Sequence, residues 1–112
     1  MPEFGTALSG LAGDRKLTHS ELVRSIRFMI AAEYEAVQLY MQLAESTDHA
    51  LARAVLEDIS KEELVHAGEF LRLLHELEPQ EESCYKKGAE EVEEMINELG
   101  GQKTEDGGQR TV

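Results

Sequence analysis

From Leu22 to Leu99 apolar residues return every three or four positions, the period of helices with one buried face. The first run is Leu22, Ile26, Met29/Ile30, Val37, Tyr40 and Ala44, and Thr18 followed by Glu21 makes a capping box at its start. Ser46-Thr47-Asp48 breaks the pattern and offers caps for a second helix. The second run is Ala52, Val55/Leu56, Ile59, Phe70, Leu73/Leu74 and Leu77, which Pro79 ends. A shorter third helix, about Tyr85–Leu99, carries Val92, Met95/Ile96 and Leu99, with Gly100 as its C-terminal cap. No segment alternates with the period of a strand. The predicted fold class is all-α: an antiparallel two-helix hairpin, half of a bundle, plus a short C-terminal helix.

Glycines divide the chain. Residues 1–17 hold Gly5, Gly10 and Gly13 without a sustained period and read as a leader. Residues 100–112 hold four of the nine glycines among polar residues and read as a flexible tail. That leaves 18–99 for the folded part. Two helices cannot enclose a core, so a homo-oligomer is expected, with a dimer completing a four-helix bundle.

Both apolar runs contain residues that do not belong in a core. The first passes from Ile30 to Val37 through Glu33, and the second from Ile59 to Phe70 through Glu63 and His66. A carboxylate in an apolar interior is costly unless it is paired or binds a cation. Glu63 and His66 are three apart and share a helix face. Glu33 lies roughly 20 Å from the turn, and Glu63 and His66 roughly 22–27 Å, at 1.5 Å per residue. In an antiparallel hairpin the three therefore sit at one depth.

Two such hairpins would offer four carboxylates and two imidazoles, the donor set of di-iron and di-manganese carboxylate bundles. Carboxylate oxygens with one imidazole per metal suit iron or manganese. A bare Glu-x-x-His is a weak signal in so glutamate-rich a chain; its place inside an apolar stripe, at the depth of Glu33, gives it weight. The alternative is an interhelical ion pair with Lys or Arg, and the stripes hold no obvious basic partner.

Composition narrows the function. Of 112 residues, 23 are acidic and 11 basic, a net charge of -12, which argues against nucleic-acid binding. Apolar residues at 41% exclude a wholly disordered chain. The longest apolar runs, such as Phe28–Ala32, are far too short to span a membrane. No secretory signal is evident, and the single cysteine, Cys84, cannot form an intrachain disulfide, so a cytoplasmic location is expected.

At Ala32-Glu33-Tyr34-Glu35-Ala36-Val37-Gln38-Leu39-Tyr40 and Lys61-Glu62-Glu63-Leu64-Val65-His66-Ala67-Gly68-Glu69-Phe70 the chain resembles the encapsulated ferritins, over roughly Leu17–Leu99. The resemblance implies a ferritin-like dimer, assembled into an annular decamer, with a ferroxidase di-iron centre shared between two subunits. It implies iron(II) oxidised there and stored inside an encapsulin shell. The family's metal ligands fall on Glu33, Glu63 and His66, and a tyrosine beside the centre falls on Tyr40. That tyrosine is expected to orient a carboxylate by a hydrogen bond. Three features depart from the family pattern. An acidic residue before the first ligand is replaced by Ala32, and a tryptophan near the iron route by Leu39. The chain also ends in Gly-Gln-Arg-Thr-Val112, without the usual shell-docking peptide. Glu35 alone survives from the outer acidic site, and Glu62 is the other candidate for a secondary or uptake site.

Other polar residues have plainer expectations. His19 and His49 read as exposed, and His75 as facing away from the metal level, nine residues beyond His66. Cys84 reads as a free thiol in a loop, and Glu90, Glu91, Glu93 and Glu94 as a solvated face. Two further functions use the same helices: a rubrerythrin-like or manganese catalase-like protein that handles peroxide, and a structural oligomer without metal.

Overall fold

A computed structural model describes residues 15–103 of the chain. Three helices follow one another: α1, His19–Glu45; α2, Ala50–Leu77; and α3, Pro79–Lys103. The chain divides at Glu78/Pro79 into two units, the α1–α2 hairpin and the α3 segment.

The predicted capping box opens α1. Thr18 Oγ1 accepts from the Glu21 backbone N–H at 3.1 Å, and Glu21 Oε1 accepts from the Thr18 N–H at 2.9 Å. Arg15 grips the same carboxylate with two hydrogen bonds of 2.8 Å. These donors, Arg15 first and the Thr18 N–H second, hold the Glu21 carboxyl well below its ordinary range, at about 2.

The turn differs from its expected chemistry. Ser46 closes α1, donating to the Gln42 carbonyl at 2.7 Å. The N-cap of α2, however, is His49, whose Nδ1 accepts from the Ala52 N–H at 3.2 Å. Thr47 Oγ1 accepts from the His49 backbone N–H at 3.1 Å and so ties down the main chain at the cap. His49 is exposed, as expected, but it terminates a helix rather than lying idle in its first turn.

The third helix is longer than the pattern predicts. Pro79 ends α2 and also begins α3, because the first helical position has no use for the missing N–H. Glu81 and Glu82 in the first turn suit the helix dipole. Cys84 is consequently on a helix, exposed, rather than in a loop. Gly100 stays helical instead of capping, and α3 runs to Lys103. The leader 1–17 and tail 100–112 fall largely outside the described residues.

The core lies toward the open end of the hairpin. Val23, Ile26 and Ile30 of α1 pack with Leu74 of α2, flanked by Leu22, Phe70, Leu71 and Leu77. Leu74 is only 1% exposed. Truncating it to alanine should cost about 2–5 kcal/mol, read as a lowered midpoint in urea. Val55 and Leu73, assigned to the buried stripe from sequence, are instead exposed. They lie about 80° around α2 from Glu63, beyond the seam that one facing helix can cover.

Candidate metal centre

Glu33 comes from the middle of α1, and Glu63 and His66 from the middle of α2. The antiparallel hairpin brings them to one level, as the residue counting requires. One ligand atom from each lies within 4.8 Å of the others. His66 Nδ1 is 3.0 Å from Glu63 Oε1 and 3.7 Å from Glu33 Oε2. The two carboxylates place oxygens within 4.8 Å of each other.

Exposure across the group is uneven. The glutamate side chains are 18% and 17% exposed, whereas His66 is 51% exposed. The group thus opens to solvent on the His66 side of the seam. On α2 that side also carries the exposed Val55 and Leu73. Tyr34 and Met29 are the exposed apolar residues of α1 nearest this level, with Leu39 and Leu43 further toward the turn.

Electrostatics divide the three groups. The hydrogen bond to Glu63 raises the Glu33 pKa, helped by partial burial and by the Glu63 charge. Accepting from Glu33 and His66 lowers that of Glu63. The bond to Glu63 raises the pKa of His66, with the Glu33, Glu63 and Glu69 charges assisting. Without metal, these shifts favour the protonated forms of Glu33 and His66 and the ionised form of Glu63. A cation arriving here displaces protons and takes their place as the counter-charge.

Glu69 is the member of this neighbourhood that the motif reading passed over. Its charge is felt by both Glu33 and His66. The signal was present, since Glu69 stands three residues after His66 on the same helix. Glu35 and Glu62 are exposed and stand outside the three-residue group, so α2 selects Glu63 over its neighbour. Tyr40 is half-buried, two turns along α1 from Glu33, about 10 Å by the helical rise. The hydrogen bonds that link the three candidates run without it. His19, His49 and His75 are not in the group either; His19 and His49 are exposed and His75 is half-buried.

The donor set fits a metal of the iron or manganese kind. Two shielded carboxylates and one imidazole converge, and among the described residues the groups acting on Glu33 and Glu63 include no lysine or arginine, which speaks against the interhelical ion-pair alternative. A single chain offers three donors, fewer than the roughly six such ions take, and its open side leaves room for more.

Comparison with known proteins agrees with this geometry. The family model described as Rubrerythrin matches residues 26–103. A ferritin-like–encapsulin shell fusion protein of Pyrococcus furiosus is 39% identical over 82 residues, 73% of this chain and 24% of that protein. The encapsulin nanocompartment cargo protein EncC of Myxococcus xanthus is 40% identical over 76 residues, 68% of this chain and 58% of that one. The chain thus spans only part of both curated relatives. The crystal structure of the encapsulated ferritin domain from Pyrococcus furiosus superposes with a TM-score of 0.74 at 36% identity, covering 80% of this chain and 91% of that one. The chain belongs to the rubrerythrin family and has the ferritin-like helical fold of the encapsulated ferritin domains.

Proposed function

We propose that this chain supplies half of a dimetal centre that oxidises Fe(II) to Fe(III) with oxygen, feeding iron storage within an encapsulin compartment. The observation that carries the reading is the convergence of Glu33, Glu63 and His66 within 4.8 Å, halfway along a hairpin and open on one side. A second copy placed over that side doubles the donors to four carboxylates and two imidazoles. Fe(II) is the substrate: each ion gives one electron to oxygen, and the protein's task is spacing, charge balance and access.

Each residue has a distinct role. Glu33 and Glu63 hold the cations, one of them bridging, and His66 is the terminal ligand. Glu69 adds negative charge at the mouth and favours cation arrival, within a chain of net charge -12. Tyr40 orients a carboxylate of the completed dimer, a role it does not perform in the single hairpin. Glu35 and Glu62, on the exposed surface, are the outer residues that would meet iron first. Manganese fits the same donors and is the second metal to test.

The encapsulin partner is supported by the two relatives, one fused to a shell protein and one a shell cargo. The compartment within the cytoplasm rests on the same kinship, and the decameric ring on the sequence resemblance to the encapsulated ferritins. Among the described residues no helix is long and apolar enough to cross a membrane.

The rubrerythrin family match favours a second reading, reduction of peroxide at the same centre. The single cysteine cannot supply a four-cysteine iron site of its own. Stopped-flow oxidation of the Fe(II)-loaded protein separates the two. Faster turnover with oxygen supports ferroxidase action, and strong preference for peroxide transfers the assignment.

The sign of the pH dependence follows from the raised Glu33 and His66. Both must release protons to bind metal, so affinity should rise with pH, by about tenfold per unit for each proton displaced. Anaerobic Mn(II) titration calorimetry in buffers of different ionisation heat measures that proton count. Binding with no proton release would contradict the charge state assigned to the group.

A further inference from the structure

Among the described residues, the large buried apolar side chains of the hairpin all lie on one side of the metal level. Val23, Ile26, Ile30 and Leu74 fill the seam toward its open end. Toward the turn only Ala44 and Ser60 are buried, and an apolar recess of about 340 Å³ lies between the helices. Val37 and Met41 of α1 line it with Glu57, Ser60, Lys61 and Leu64 of α2. Its wall is almost wholly apolar, because Glu57 and Lys61 are exposed residues that line it with their stems.

The recess adjoins the three-residue group on the flank away from His66. Val37 stands one turn from Glu33, Ser60 three residues before Glu63 and Leu64 immediately after it. Taking Glu63 as the origin, His66 lies about 60° one way around α2; Ser60, Leu64 and Glu57 lie about 60°, 100° and 120° the other way. Val37 and Met41 turn in that second sense from Glu33, by about 40° and 80°. In facing antiparallel helices equal senses of turn lead to one flank. A second copy over the His66 side therefore leaves the recess uncovered.

The two flanks differ in chemistry. The His66 side feels the Glu69 charge and attracts cations. A polar guest in the recess would give up hydration without regaining hydrogen bonds, whereas a small apolar guest gives up nothing. Of the reactants in Fe(II) oxidation, dioxygen alone is small and apolar.

We propose that this recess admits dioxygen to the metal group, from the flank opposite the cation's approach. The assignment rests on the ferroxidase reading and adds to it a separate route for each reactant. The recess is roomier than one diatomic molecule, so it gathers oxygen rather than fitting it.

Xenon, an apolar gas that enters dry cavities, is the direct probe. Crystals of the full chain grown with Mn(II) and held under xenon pressure should show xenon against Val37, Met41 and Leu64. A recess without xenon would overturn the proposal. Val37→Phe and Leu64→Trp each narrow the recess, and Leu64 is 52% exposed, so its replacement leaves the seam intact even where Val37→Phe disturbs it. Each should raise the oxygen concentration for half-maximal Fe(II) oxidation by about fivefold or more, with the rate at saturating oxygen within about twofold of the parent. Mn(II) affinity and oxidation by hydrogen peroxide, a polar oxidant, should not change. Mn(II) affinity falling in step with the oxygen dependence would make both residues structural and overturn the proposal. An active parent whose oxygen dependence survives in both variants would overturn the oxygen route and leave the ferroxidase reading standing. A parent that oxidises Fe(II) no faster than buffer fails that reading, and the oxygen assignment falls with it even if xenon binds.

Discussion

Glu63→Ala and His66→Ala should each reduce Fe(II) oxidation to the rate of iron in buffer alone. The two side chains stand 3.0 Å apart and supply chemically different donors, a carboxylate and an imidazole, to the same small volume, so neither can be replaced by its partner. In the dimer each substitution is made twice, removing two of six donors at a stroke. Glu62, next door in sequence, cannot substitute for Glu63, because a shift of one residue rotates the carboxylate about 100° out of the seam. Glu76→Ala, at an exposed glutamate of the same helix outside the group, is the control and should leave the rate within about twofold, in line with the small effects of surface substitutions. Unaltered oxidation in both Glu63→Ala and His66→Ala would remove the group from the chemistry.

The second large effect is on stability. Cations that bind the folded chain and not the unfolded one stabilise it by about 2.7 kcal/mol at one hundred times their dissociation constant. For a folded part of this size that is a rise of roughly 10–20 °C in Tm. Glu33→Leu should behave in the opposite way to a damaged core. The metal-free variant should melt at the same temperature as the parent or higher, since a part-buried carboxyl crowded by Glu63 is replaced by a side chain suited to the seam. Added Mn(II) should then leave its Tm unmoved. Calorimetric scans of both proteins with and without Mn(II) make the comparison. A parent chain indifferent to Mn(II) and Fe(II) would favour the structural oligomer.

The candidate site was legible in sequence because two independent patterns meet there. Glu33, Glu63 and His66 interrupt apolar stripes, and helical rise places them at one depth. The capping box of Thr18 and Glu21 was equally readable, being a local exchange of two hydrogen bonds. The misreadings have physical causes. Pro79 carries two meanings, stop and start, and only the acidic turn after it reveals the second. His49 caps α2 through a ring nitrogen, a donor-acceptor geometry that the preference for Ser, Thr, Asp and Asn does not anticipate. Glu69 acts through space on residues of both helices, and its part became visible once their positions were fixed. Val55 and Leu73 fit the helical period yet stay exposed, because periodicity reports which face is apolar and not what covers it.

The most direct measurement is Fe(II) titration of the metal-free protein in air, following ferric absorbance and assembly mass in the same samples. The shared-centre account expects rapid oxidation that saturates near one iron per chain, two per dimer, and an assembly that grows as iron is added. Ferric absorbance rising no faster than in buffer, with no change in mass, would contradict it.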